Sequence, residues 1–159
     1  MRRSLALFSL FALMAVAASA QPSSLPAEAQ AYLGDWTTYS DETGEAQVVV
    51  RISESNGIVQ GRIIRVLPTQ EHPTPQFTCD DCGGQYQGAD LRRIPLITGM
   101  KWDDDEFNGG RITDPQKDKT YKAMMKLEGR DQLRVRGYIG IRALGRSQTW
   151  RRSSASNCN

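Results

Sequence analysis

The sequence predicts an all-β protein: about eight short antiparallel strands rolled into a closed up-and-down barrel behind one short N-terminal helix. Three observations carry that expectation. Apolar residues recur at every second position through successive segments, as where Tyr121, Ala123, Met125 and Leu127 are set against Thr120, Lys122, Met124 and Lys126. Turn signals built on Gly, Asn and Asp separate the segments. Gly34-Asp35-Trp36 opens the first strand and Trp150-Arg151-Arg152 closes the last, so a wrapped sheet brings the two together. A two-layer sandwich is the rival architecture; glycines that let a sheet bend favour the barrel.

The chain begins with an address. Arg2 and Arg3 precede an apolar run from Leu5 to Ala18, and Ala18-Ser19-Ala20 is a small-x-small cleavage site, so residues 1–20 read as a signal peptide. The run is short for a membrane span, which needs about 20 residues. Export to the periplasm or the outside follows, with a single domain over 21–152 and a polar, disordered tail over 153–159. The 20 basic residues exceed the 18 acidic ones by two, and Arg2 and Arg3 account for the difference. The mature chain therefore gives no ground for nucleic-acid binding, and no apolar run long enough to span a membrane remains in it.

Ser24 and Pro26 can open a helix through Ala27-Glu28-Ala29-Gln30-Ala31-Tyr32-Leu33 before Gly34 stops it. So short a helix is stable only when packed against something. Trp36 to Tyr39 begin the first strand. Val48, Val50 and Ile52 then alternate with Gln47, Val49 and Arg51, and Ser55-Asn56-Gly57 signals a hairpin. Val59, Gly61 and Ile63 share one face of the next strand, whereas Ile58, Ile64 and Val66 fall on the other with Gln60 and Arg62, a less clean division. Residues 67–95 interrupt the pattern with Pro68, Pro73, Pro75, Gly83, Gly84 and Gly88; a connection this long is either a functional lid or a tethered excursion. Strands resume at Leu96 to Trp102, turn at Asp103 to Glu106, and continue through Gly109 to Thr113. After the Asp114-Pro115 turn come the 120–127 strand and then Leu133, Val135 and Ile139 alternating with Arg134, Arg136 and Tyr138. Gly137 falls on the inner face, where a missing side chain allows a sharp bend. Ser147 to Arg151 close the sheet.

Candidate chemistry is sparse. Cys79-Asp80-Asp81-Cys82 is expected to be a disulfide in an oxidising compartment. A reactive pair wants positive neighbours and a helix N-terminus, and half of a metal site is the remaining reading. So small a closed loop stabilises by about 2 kcal/mol on the entropic model. Cys158 is left over, free or intermolecular. His72, the one histidine, is a solvated loop residue or, as a long shot, a fourth ligand beside the cysteines. Asp103 to Glu106 do not match a calcium loop, because Phe107 takes a ligand position. No nucleophile–base pair, phosphate loop or catalytic carboxylate pair can be picked out, so no catalytic residue, metal or cofactor is expected and the protein reads as a non-enzyme.

Gly34-x-Trp36 with a C-terminal arginine resembles the signature of the lipocalin and calycin barrels, in which a tryptophan of the first strand packs under an arginine of the last. Arg151 or Arg152 would fill that role. Gly109-Gly110-x-Ile112-x-Asp114-Pro115, Tyr121, Leu133-x-Val135-Arg136-Gly137-Tyr138-Ile139-Gly140 and Leu144-Gly145-Arg146-x-Gln148-x-Trp150-x-Arg152 are similar to a family of exported bacterial proteins, domain of unknown function 2147. Phe107 stands where that family usually has tryptophan, and Asp118 where it has glycine. The resemblance implies a lipocalin-like barrel in the cell envelope and brings no catalytic residues.

Two functions are then expected to compete. In the first, the barrel binds a small apolar molecule, lined by Trp36, Val48, Val50, Ile52, Tyr121, Met125, Leu127, Val135 and Ile139, with the Cys79–Cys82 loop over the mouth. In the second, the barrel is packed solid and its long loop or arginine-rich outer face meets an envelope partner. A hollow or filled interior separates them.

Overall fold

The computed structural model describes residues 25–154; the expected leader, Cys158 and the rest of the tail beyond Ser154 lie outside them. Eight strands form one closed barrel, each antiparallel to its neighbours in sequence and the last paired to the first. In chain order they are β1 (Gly34–Tyr39), β2 (Ala46–Ser55), β3 (Ile58–Val66), β4 (Ile97–Asp103), β5 (Glu106–Asp114), β6 (Lys119–Leu127), β7 (Gln132–Tyr138) and β8 (Arg146–Arg152), preceded by α1 (Ala27–Gln30). The helix is a single turn, shorter than the seven residues its sequence offers. Pro26 precedes it without a side-chain cap, and the chain must be extended by Gly34, whose φ of 111° only glycine adopts readily.

Local chemistry explains the hairpins. Asn56 and Gly57 both have positive φ (53° and 77°) between paired Ser55 and Ile58, the two-residue turn whose twist matches the strands it joins. Asp104, at φ 60°, turns the chain between paired Asp103 and Glu106. The mixed faces of β3 have a cause as well. Val50 pairs Ile63 while Val49 pairs Arg65, so Ile64 is an extra residue. Beyond this bulge Val66, opposite Val48, returns to the core side.

The inner face is closed by glycines at three levels. A Cβ on Gly61 would sit 3.2 Å from both Ile97 Cβ and Val50 Cγ1; on Gly110, 2.4 Å from Met100 Sδ and 2.5 Å from the Thr98 carbonyl; on Gly137, 3.2 Å from Ile112 Cγ2. Each bare Cα is space into which a side chain from a neighbouring strand extends. At Gly137 the glycine therefore admits Ile112 and Tyr121. We expect Gly110→Ala to destabilise by about 1–3 kcal/mol, because a backbone oxygen as well as a thioether is in the way. The measurement is the urea midpoint at constant slope; a variant as stable as wild type would show that Met100 has room to move aside.

The 67–95 connection is a tethered excursion. Thr78 bridges to Asp90, the Cys79 amide donates to Ala89 O (2.9 Å), and the Leu91 amide donates to Phe77 O (2.8 Å). The Gly83 amide reaches Pro115 O (3.1 Å) on the β5–β6 turn. There Asp118, at φ 49°, accepts hydrogen bonds from the Gln85 side chain (3.1 Å) and amide (3.4 Å). A left-handed residue at this position accounts for the glycine of the resembling family, and the aspartate adds an anchor for the loop. Leu91 then packs against the core.

Candidate functional site

At the end where β1 starts and β8 finishes, α1 and Arg152 form a plug. The Arg152 guanidinium carbon lies 4.1 Å from the centroid of the Trp36 ring, a contact worth about 0.5–2 kcal/mol. The same group donates to Ala31 O (2.6 Å) and Leu33 O (3.2 Å), just past the end of the one-turn helix, and to Arg130 O (3.1 Å) in the β6–β7 turn. Trp36 Nε1 donates to Tyr32 O (2.9 Å). The Tyr32 hydroxyl donates to Asp105 O (2.9 Å) and accepts from the Leu127 amide (3.1 Å), stitching two hairpins to the plug. Burial pushes the Tyr32 phenol above its ordinary pKa. Tyr32, Trp102 and Phe107 meet edge to face, with centroids 5.1–5.5 Å apart. The closing arginine is thus Arg152. Arg151 does not share the role, because neighbouring strand residues point to opposite faces; it lies outside the barrel, 5.9 Å from the Tyr39 ring.

The proposed lining divides. Trp36, Val50, Ile52, Met125 and Val135 are buried in the interior cluster, whereas Val48 and Leu127 are half-buried against it. Tyr121 is half-buried beside the bare Cα of Gly137. Ile139 does not belong with them. β7 ends at Tyr138, Gly140 turns the chain at φ 71°, and the Ile139 side chain is 69% exposed. Sequence reasoning missed Val59, Ile97, Met100 and Phe107, each at 0% exposure. Alternation marks such residues as inward, but the way Met100 fills the space over Gly110 depends on a bulge at Asn108-Gly109 that alternation does not reveal. Eight large interior side chains, Trp36, Val50, Val59, Ile97, Met100, Phe107, Met125 and Leu133, are 0% exposed. Among the described residues the best-formed depressions are shallow and lie outside this cluster: one beside α1 and Arg130, the other over Val49, Arg51 and Ser153.

The other candidates are tied into the scaffold. Cys79 and Cys82 are joined as a disulfide. His72 Nε2 lies 3.2 Å from Asp81 Oδ2 in the exposed loop. Asp105 binds Lys126 Nζ (2.6 Å), and Glu106 binds Arg142 (2.6 Å). At the mouth, Asp41 bridges Arg146 and Gln148 between the β1–β2 turn and β8. Ser153, which the sequence places in the tail, donates its amide to Asp35 O (2.9 Å) and lies 2.7 Å from Thr37 Oγ1 through its hydroxyl.

Several carboxylates are held below their ordinary pKa by cationic donors. Arg51 donates two hydrogen bonds (2.7 and 2.8 Å) to Asp35 and lowers it despite desolvation. Lys126 lowers Asp105, and Arg92 brings Asp90 to about 2. A carboxyl depressed in the folded state stabilises above its unfolded pKa, near 3.9, and that contribution is lost as pH falls through the folded value. Urea midpoints should therefore hold from neutral pH to about 4 and decline from about pH 4 to pH 2. Asp35→Asn should flatten part of the decline; an identical profile in the variant would refute the assignment.

An eight-stranded closed barrel plugged by a tryptophan–arginine stack and a short N-terminal helix defines a lipocalin-like protein. Residues 34–152 match the family model described as "Uncharacterized protein conserved in bacteria (DUF2147)", and the chain belongs to that family. The structure is similar to that of Protein HP1028 from the human pathogen Helicobacter pylori, described as belonging to the lipocalin family, with a TM-score of 0.62 and 15% sequence identity over 79% of this chain and 84% of that one. At that identity the likeness is one of fold. No curated protein matches the chain.

Proposed function

We propose that this protein is an exported, non-catalytic interaction module in which the barrel is a packed scaffold and binding takes place on the exterior. The observation that carries this reading is the filled interior: glycines at 61, 110 and 137 admit neighbouring side chains, and the central residues have no space beside them. Ligand pockets are typically clefts of about 300–1,000 Å³, and room on that scale would require Met100, Met125 or Trp150 to leave the cluster. The leader-like start and the Cys79–Cys82 bond support export. The competing carrier reading rests on the fold likeness and on the inward residues Trp36, Val50, Ile52, Met125 and Val135. Native mass spectrometry of the protein purified from its own host distinguishes the two. The scaffold reading expects the bare polypeptide mass; a stoichiometric lipid or metabolite adduct would overturn it.

A further inference from the structure

The large apolar side chains that stand exposed among the described residues all fall in one short stretch, the β7–β8 connection: Ile139 at 69%, Ile141 at 62% and Leu144 at 78%. Scattered single exposures need no explanation, but three on one loop do. This loop is also held in place. Arg136 donates to Arg142 O (2.7 Å), Ala143 O (3.1 Å) and Ser147 Oγ (2.8 Å), and the Leu144 amide donates to Ile141 O (3.2 Å). Arg142 crosses to Glu106. A Cβ on Gly145 would lie 2.6 Å from Gly137 O, so the loop is folded tightly against β7. The aliphatic groups are thus presented outward by a fixed frame.

The wall beside them is cationic. Lys122 lies opposite Tyr138, the last residue of β7, and Arg111 lies opposite Lys122. Both are exposed on the outer face. Like charges directly across a ladder are unfavourable, and neither of this pair has an acidic partner among the described residues, whereas Arg142 and Arg146 do.

We infer that the β7–β8 loop and the Arg111–Lys122 pair form a docking surface for a lipid bilayer bearing anionic headgroups. The chemistry divides accordingly: Ile139, Ile141 and Leu144 enter the boundary between headgroups and acyl chains, and the two cations meet the phosphates. A stable protein–protein interface takes about 800 Å² from each partner, more than three side chains on one loop offer, while insertion into lipid needs no complementary groove. The inference rests on the packed-scaffold reading, since it makes the exterior the working surface.

The test is co-sedimentation of the exported chain with phosphatidylcholine vesicles, with and without about one-third phosphatidylglycerol. Wild type is compared with Ile141→Ser/Leu144→Ser and with Arg111→Gln/Lys122→Gln, all sharing one N-terminus. Unfolding midpoints serve as the folding control, since every substituted side chain is exposed. Wild type should bind the anionic vesicles about tenfold or more tighter than the neutral ones, with binding weakened by salt. Each double variant should lose about tenfold. Wild-type protein that ignores anionic vesicles, or variants that bind as it does, would overturn the inference. So would a discrete protein crosslinked through residue 141 in cells while vesicles stay unbound. Those results leave the packed scaffold standing, because that reading is tested separately, by the native mass spectrum.

Discussion

Phe107→Ala should destabilise the barrel by about 3–5 kcal/mol, in the top range for a side-chain truncation. Phe107 is fully buried on β5, pairs with Met125 across the ladder, and meets both Tyr32 and Trp102 edge to face at 5.1 Å. Removing the ring deletes apolar contact area and leaves a void, because the surrounding backbone is fixed by ladders on both sides and cannot collapse into it. The void also gives a second readout. Dry engineered cavities of this kind take up benzene or xenon, so Phe107→Ala should be stabilised by benzene while wild type should not. Equal uptake by wild type would show that the interior already has room, and would remove the basis for the packed-scaffold reading. Phe107→Trp, the residue usual in the resembling family, should cost about 1–3 kcal/mol here, since Tyr32 and Trp102 already close round the smaller ring.

The parts of this fold that could be read from the sequence are those fixed by local chemistry. Asn56-Gly57 specifies a turn with two positive φ angles and has them. The pairing of β6 with β7 runs without a break from Leu127↔Leu133 to Lys122↔Tyr138, although Met124, on the outer face by alternation, is buried as well. The position of Trp150 also distinguishes the two arginines that follow it. Trp150 is an inward residue opposite Leu133, so Arg152, two positions on, must face the same way and Arg151 must not. What could not be read depends on relations between strands. The extra residue at Ile64 and the bulge at Asn108-Gly109 shift the partners of Val49, Val66 and Gly110 without disturbing the composition of their own segments. Ile139 continues the alternation of β7 past the point where pairing stops, and alternation alone carries no mark of a strand's end. Whether the barrel is filled was illegible for the same reason: Val50 and Ile97 over Gly61 is a cross-strand fact.

Arg152→Ala should cost about 2–4 kcal/mol, measured by urea unfolding, and Arg151→Ala no more than about 0.5 kcal/mol. The residues are adjacent and chemically identical, so the contrast isolates position. Arg152 contributes a stack on Trp36 and charge-assisted bonds to three carbonyls, each bond worth about 1.5–3 kcal/mol when buried and less here, because the site lies at the surface. It also sits in one of the two sparsely paired seams of the barrel, the other being β3–β4. β1 and β8 share only the register pairs Trp36↔Arg152 and Thr37↔Arg151, with Ser153 adding one further bond to Asp35. Losing the guanidinium should therefore loosen both the plug and the seam, and amide exchange should accelerate in β1 and β8 before β6 and β7. Arg152→Lys should recover less than half of the loss, because an ammonium cannot face the indole and span Ala31, Leu33 and Arg130 at once. If Arg152→Ala proved as stable as wild type, or if Arg151→Ala cost more, closure would depend on the backbone ladder and the core packing alone, and the tryptophan–arginine stack would be incidental to it.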